Sequence, residues 1–250
     1  MLALSRGRLE SGSMSASCAT VIALHARDAL VERVPRAQGW LHDEEARRLE
    51  GIANAALVRR FLGGHWLARE ALARLTGTPP ERWRLRSAES GMPLAFDVSG
   101  EHVAHVSISH SGELVACAAS FAPVGIDIES PRRERDLVAL AQRMFPASEA
   151  MSLATLDAAA QRTAFYRRWT LDEAHAKRDG EGLASERQQR QFWHDAQHAE
   201  ALARSWRGPD WFLALCVATP EQLRGVELPD SVVAPPLESA WHRLEHRHGE

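Results

Sequence analysis

Apolar and polar positions along the chain separate short alternating stretches from two long helical ones. Thr20-Val-Ile-Ala-Leu-His25 is expected as the first strand, and residues 43–75 carry a helical pattern with Gly63-Gly64 as a break or close-packing point. That helix should stop at Thr76-Gly77-Thr78-Pro79-Pro80, with glycine just past the last turn and proline beyond it. Ser90-Gly91-Met92-Pro93 reads as a turn. His102–Ser109 and Leu114–Ser120 are strand-like and joined through Ser111-Gly112, a hairpin pattern, with Val124–Glu129 following as another strand. Ser148 is expected to cap a short helix at 149–156, and residues 158–179 form a longer helix closed by Gly180. Trp211–Thr219 reads as a buried strand, residues 1–18 as a flexible tail with Met14 an alternative start, and residues 222–250 as a Pro-, His- and charge-rich tail.

Strands and helices mixed in this way define an α+β chain. Leu114-Val-Ala-Cys117-Ala-Ala-Ser120 is echoed by Leu213-Ala-Leu-Cys216-Val-Ala-Thr219, one strand in each half. The echo suits a pseudo-duplicated fold, and chance likeness between two apolar strands suits it equally. On this reading residues 19–122 form one half and 123–221 the other. An apolar content of 45% and eight Trp give the 250 residues a real core. The net charge of −3 offers no footprint for nucleic acid, so an acidic substrate would need a local basic pocket. Three cysteines, odd in number and unpatterned, favour a reduced, cytoplasmic setting. No apolar run approaches ~18 residues, which excludes a membrane-spanning helix, and the N-terminus lacks the apolar region of a signal peptide.

The candidate chemistry lies in two blocks. In the strand Val124-Gly-Ile-Asp127-Ile-Glu129, residues two apart share a face, so Asp127 and Glu129 project together and Ile126 and Ile128 point the other way. In the helix, residues four apart align, which puts Glu173 over Lys177. The plain alternatives are an exposed strand edge for the first pair, and for the second a surface ion pair stabilising the helix by only ~0.2–0.5 kcal/mol. Two carboxylates on the inner face of an apolar strand, however, cost on the order of several kcal/mol each unless a positive charge sits with them. A hard divalent cation such as Mg²⁺, completing its shell with water and substrate phosphates, meets that need. The blocks therefore point to phosphoryl transfer. A Ser/His/Asp hydrolase is excluded by the missing Gly-x-Ser-x-Gly elbow.

With a third block, Ser107-Ile-Ser109-His110-Ser111-Gly112, these segments resemble the 4'-phosphopantetheinyl transferases of the larger, monomeric, Sfp-like class. That family has a Gly-(Val/Ile)-Asp-x-Glu strand, then Trp-x-x-Lys-Glu-(Ala/Ser)-x-x-Lys-x-x-Gly-x-Gly-Leu, here Trp169 to Leu183, and a Leu-Ser-His-Ser segment. The resemblance covers roughly residues 20–220. It implies two similar α+β halves with the site at their seam, and transfer of phosphopantetheine from coenzyme A to a serine of an apo acyl- or peptidyl-carrier protein. It also implies Mg²⁺ on Asp127, Glu129 and Glu173, with Lys177 steadying the phosphates and the leaving group. Glu173, Glu149 (of a Phe-(Ser/Thr)-x-x-Glu-like element) or a water on the metal would take the serine proton. His110 and Ser109 would contact phosphate, and Arg48, among Arg47, Arg48, Arg59, Arg60 and Arg69, would serve the 3'-phosphate.

Three positions depart from the family pattern: Met92 and Asp172 stand where it has Lys, and His65 where it commonly has Arg. All three are expected to weaken the cationic grip on coenzyme A. His242, His246 and His248 read as part of a solvated tail, Cys117 and Cys216 as core residues, and Trp169 as a buttress of the Glu173 helix. Two rival readings stay open. One is a weakened transferase homologue that binds carrier or coenzyme A without turnover. The other is a metal nuclease, which would need a downstream His/Tyr-x-x-x-Asp block and a basic face that this chain lacks.

Overall fold

The computed structural model describes residues 20–88, 93–97, 99–181, 191–226, 228 and 236–246. The tail at 1–18, Met92 with most of its turn, and Gly182-Leu183 lie outside the described residues. The chain folds as α+β around two five-stranded antiparallel sheets. The first holds β1 (Thr20–Ala26), β2 (Arg84–Ser87), β3 (Pro93–Phe96), β4 (His102–Ser111) and β5 (Leu114–Ser120), in the order β1-β5-β4-β3-β2. The second holds β6 (Val124–Glu129), β7 (Gln191–Asp195), β8 (Ala203–Arg207), β9 (Phe212–Val217) and β10 (Glu238–His246), in the order β6-β9-β8-β10-β7.

The helices are α1 (Arg27–Val31), α2 (Asp43–Glu50), α3 (Ala55–Thr76), α4 (Leu137–Met144), α5 (Ala147–Ala154) and α6 (Ala158–Asp179). α3 and α6 are each 22 residues long, begin at a side-chain cap (Asn54 and Asp157) and end at a left-handed glycine. Gly77 has φ 76° and Gly180 has φ 69°, a conformation glycine reaches without steric cost. α3 packs Leu67, Ala68, Ala71 and Leu72 against Val115, Cys117 and Ala119 of β5. α6 packs Leu171 and Ala174 against Ala214 and Cys216 of β9. The opposite faces of these strands, Ala116 and Ala118 with Leu213 and Leu215, meet in a core shared by both sheets. β5 and β9 are thus buried on both faces, which explains their unbroken apolar runs. Each lies one place in from the edge of its sheet, so the sequence echo marks topologically matching strands.

Of the two roles expected for Gly63-Gly64, the structure shows close packing: α3 runs through them unbroken, both are buried, and a Cβ on Gly64 would come within 3.1 Å of the Ile108 side chain. Three elements differ from the sequence expectation: the helical stretch at 43–75, the cap of α5 and the C-terminal segment. The helical stretch is interrupted at Gly51–Asn54, where Asn54 accepts from two amides and starts a new helix. Ser148 sits inside α5 rather than capping it, and Pro146 stands at the cap. The expected C-terminal tail contains β10, which pairs with both β7 and β8. Its His242 is buried, not solvated: it shares a 2.7 Å hydrogen bond with Ser205 Oγ, and burial lowers its pKa to about 4. Among the described residues, no helix is long and apolar enough to cross a membrane.

Candidate active site

β6 pairs with β9 along one edge only; its other edge faces β4, whose serines recur at every second residue. The Ile126, Ile128 and Ser130 amides donate to Ser107, Ser109 and Ser111 Oγ at 3.1, 3.2 and 3.0 Å. Side chains here do what a neighbouring strand would, satisfying an otherwise bare edge and tying the two sheets together. Each hydroxyl keeps its proton to donate onward. Ser109 donates to Asp127 Oδ1 at 2.7 Å and Ser111 to Glu129 Oε2 at 2.8 Å.

Ile126 and Ile128 enter the core between the sheets, which turns Asp127 and Glu129 to the α6 side as the alternation predicted. α6 lies directly on this strand because position 125 is glycine: a Cβ there would stand 1.9 Å from the Ala174 carbonyl oxygen and 2.5 Å from the Arg178 nitrogen. The close approach brings Lys177 Nζ to 2.6 Å from Asp127 Oδ1 and 3.1 Å from Ser109 Oγ. Burial raises the Asp127 pKa against the pull of Lys177, and its second oxygen, Oδ2, is buried with no hydrogen-bond partner. Glu129 is likewise raised, by burial and by Asp127. Glu173 is pushed up to about 7, first by burial and then by the charges of Asp127 and Glu129.

Asp127 raises Glu129 and both raise Glu173, and three acids facing one lysine leave negative charge in excess. The donors are hard oxygens and one is orphaned, so their chemistry fits a hard divalent cation. As the side chains stand, no three Asp, Glu, His or Cys groups among the described residues are arranged to hold an ion; the Lys177 ammonium takes Asp127 Oδ1 instead.

Beside Lys177 opens a cavity of about 630 Å³, walled by α2, α3, β2, β4 and the end of α6. Arg48, Arg60, Arg86 and Lys177 line it with Glu44, Glu45 and Glu181, and because Glu45 is already paired with Arg69, the cations outnumber the remaining acids on its wall. Of the expected phosphate contacts, Arg48 and His110 reach this cavity, and the His110 pKa is lowered by partial desolvation and by Arg60. Ser109 does not; its hydroxyl is committed to Asp127, Ile128 and Lys177. Glu149 does not line the cavity either; its carboxylate meets Arg168 Nε at 3.1 Å, and burial raises its pKa. Arg69 is buried against Glu45 and is unavailable to a ligand.

Two of the departures take a different meaning. Asp172 turns away from the cavity and is buried, accepting from Trp193 Nε1 at 2.9 Å and pairing with Arg168 at 3.2 Å. His65 does line the cavity, but stacks on Phe61 and shares a 2.6 Å hydrogen bond with Glu45. Burial lowers its pKa in spite of Glu45, which disfavours the charged imidazolium. Sequence reasoning missed Arg86, whose strand carries no motif. It also missed Pro131-Arg132-Arg133-Glu134-Arg135, which follows Glu129 after Ser130 and whose arginines line a second recess of about 100 Å³ with Glu129 and Tyr166.

Residues 123–222 match the family model of the 4'-phosphopantetheinyl transferase superfamily. That match covers the half carrying Asp127, Glu129, Glu173 and Lys177, and it bears out the resemblance carried by the motifs. The chain is 33% identical to the 4'-phosphopantetheinyl transferase HetI of Nostoc sp. over 127 residues, 50% of this chain and 54% of that one. It is 29% identical to the 4'-phosphopantetheinyl transferase Sfp of Bacillus subtilis over 153 residues, 61% of this chain and 66% of that one. The alignments thus span between about half and two thirds of these relatives. Among solved structures, a holo-(acyl-carrier-protein) synthase from Bacillus anthracis in complex with CoA (3',5'-ADP) superposes with a TM-score of 0.35 at 21% identity, covering 41% of this chain and 93% of that one.

Proposed function

We propose that this protein is a Mg²⁺-dependent 4'-phosphopantetheinyl transferase, built as two α+β halves and working as a cytosolic monomer. It moves the phosphopantetheine arm of coenzyme A to a serine of an apo acyl- or peptidyl-carrier protein and releases adenosine 3',5'-bisphosphate. One observation carries this reading: Asp127 and Glu129 share a strand face, Lys177 Nζ stands 2.6 Å from Asp127 Oδ1 with Asp127 Oδ2 left unpartnered, and the same lysine lines the neighbouring cavity with Arg48, Arg60 and Arg86. The superfamily match over residues 123–222 supports it.

Asp127, Glu129 and Glu173 would hold the cation, which when bound neutralises phosphoryl oxygens and lowers the barrier to displacement. Arg48, Arg60 and His110 bind the nucleotide phosphates along the cavity wall, where charge-assisted bonds are the strong ones. Lys177 donates to the phosphate as charge gathers on the leaving group. Glu173, with a pKa near neutrality, is matched to accepting the serine proton. The cysteines support a reducing compartment: Cys117 and Cys216 are buried and unpaired.

The test is incubation with coenzyme A, Mg²⁺ and an apo carrier protein, followed by intact mass. A gain of one phosphopantetheine that disappears on chelation is expected. Binding of carrier or coenzyme A with no mass change overturns the reading in favour of a binding protein.

A further inference from the structure

We propose that Arg168 is a positioning residue for Glu173, and that Glu149 anchors Arg168 instead of accepting a proton. This assignment rests on the transferase reading of the site. Arg168 is buried on α6, and its guanidinium reaches three separate elements. Nε faces Glu149 of α5 at 3.1 Å, Nη1 faces Asp172 one turn along α6 at 3.2 Å, and Nη2 donates to the Gln191 carbonyl of β7 at 2.8 Å. The same group lies over the Phe145 ring, 5.4 Å from its centre. Only a planar, always charged fork can meet partners in three directions at once; an ammonium is a point charge on a flexible stem. Trp193 of β7 closes the arrangement by donating to Asp172.

Glu173 follows Asp172 directly and precedes Ala174, whose carbonyl presses on Gly125. Its turn of helix is therefore held twice, by the Asp172 side chain through Arg168 and Trp193, and by the Ala174 backbone on β6. Losing the first hold frees that turn to roll, which moves the Glu173 carboxylate relative to Asp127 and Glu129. Glu149 in turn lies outside the cavity wall and is engaged by Arg168, an arrangement that suits an anchor and not a base.

The experiment compares Arg168→Met, Arg168→Lys, Glu149→Gln and Trp193→Phe in the carrier-modification assay, with the Trp193 indole N–H followed by NMR. Arg168→Met should lower kcat about 10–100-fold, the scale for groups that orient ligating side chains, with KM for coenzyme A little changed. Arg168→Lys should recover part of that loss. Glu149→Gln should cost only a few-fold, because Arg168 keeps the Asp172 carboxylate and the Gln191 carbonyl as partners. If Arg168→Met fails to fold, Arg168→Lys and Trp193→Phe carry the test, each expected to lower kcat at constant KM. Wild-type kcat in the folded Arg168 variants overturns the assignment. So does Glu149→Gln falling as far as Arg168→Met and losing the acidic limb of the pH–rate profile, which a general base would set. The indole resonance should move in Arg168→Lys, and an unmoved resonance overturns the clamp. That readout needs no turnover, so a wild-type protein without transfer would defeat the functional reading alone.

Discussion

α3 and α6 are twin helices with opposite contents. Both run 22 residues between a side-chain cap and a left-handed glycine, and both pack across the edge strand of a five-stranded sheet and the inner strand beside it. α3 buries one ion, Arg69, and Glu45 neutralises it completely, with contacts of 2.9 and 2.5 Å from its two terminal nitrogens. α6 buries Arg168 and Asp172 and sets Glu173 and Lys177 against Asp127, with an oxygen left unpartnered. A balanced pair serves the fold; an unbalanced cluster is where a charged ligand gains most. The same scaffold can therefore carry chemistry in one copy only, decided by which side chains face the sheet.

The sharpest test removes the acids of the second half. Asp127→Ala or Glu129→Ala should lower carrier modification roughly 10³-fold, the scale of a lost preorganised electrostatic contact, with thermal unfolding still cooperative. Near-normal turnover in both variants would show that α6 is as inert as α3. Next in size is the way each helix meets its sheet. Gly125→Ala drives a Cβ into the backbone of α6, which cannot step aside, so a stability loss at or above the ~1–3 kcal/mol typical of overpacking is expected. Gly64→Ala meets only a side-chain methyl of Ile108, and gains up to ~1 kcal/mol of helix propensity that offsets the strain. Urea unfolding of the two variants measures the contrast, and equal losses would mean both helices tolerate the same approach.

How much of this was legible in the chain follows from the range of the interactions. Asp127 and Glu129 were readable because strand alternation is local, and the Glu173–Lys177 face because helical spacing is local. Gly77 and Gly180 announced their helix ends for the same reason. The serines of β4 stand out as a motif in sequence, but only Ser109 takes an expected partner there, a phosphate, and in the structure its hydroxyl is committed to Asp127, Ile128 and Lys177. Their role on the edge of β6 joins residues 107–111 to 126–130, and only the meeting of two sheets creates it. Arg168 was invisible because Glu149 and Gln191 come from elements distant in sequence. β10 was missed because Glu238–His246 is charged and holds few apolar residues; its ladder to β7 and β8, not its composition, makes it a strand.

A third contrast lies within α6. Lys177→Met should lower kcat more than it raises KM, since its charge matters most as the leaving phosphate forms. Arg178, the next residue on the helix, is tied by Nη1 to the Val217 carbonyl at 2.9 Å and by Nε to Asp179 at 2.7 Å. Arg178→Ala should therefore cost stability, about 1.5–3 kcal/mol for a well-formed charged hydrogen bond and less where solvent screens it. Its kcat should stay well above that of Lys177→Met. Kinetics and denaturation on both variants separate the effects, and a Lys177→Met enzyme with normal kcat would reduce Lys177 to a counter-ion of Asp127.

The smallest expected effect is a pH signature of opposite sign in the two halves. Glu45 is raised by burial but pulled down further by its bonds to His65 and Arg69, to a pKa of about 2. Its contribution to stability is full above the ordinary carboxylate pKa and is lost as pH falls from about 4.5 toward 2. Glu173 has a raised folded pKa of about 7, so its contribution is full below about 4.5 and is lost as pH climbs through 7, where it ionises beside Asp127 and Glu129. In metal-free buffer, Glu173→Gln should flatten the decline in melting temperature between pH 4.5 and 7 and leave the acid limb alone. Glu45→Gln should do the reverse. Each limb exists because the acid titrates at a different pH in the unfolded chain, and each change is expected as a shift of a few degrees. Added Mg²⁺ should restore the wild-type melting temperature at pH 7.5 and do little at pH 5, where the protonated Glu173 offers the ion a poorer ligand. An alkaline limb unchanged by Glu173→Gln would mean that the three carboxylates do not feel one another, and that α6 is electrostatically as quiet as α3.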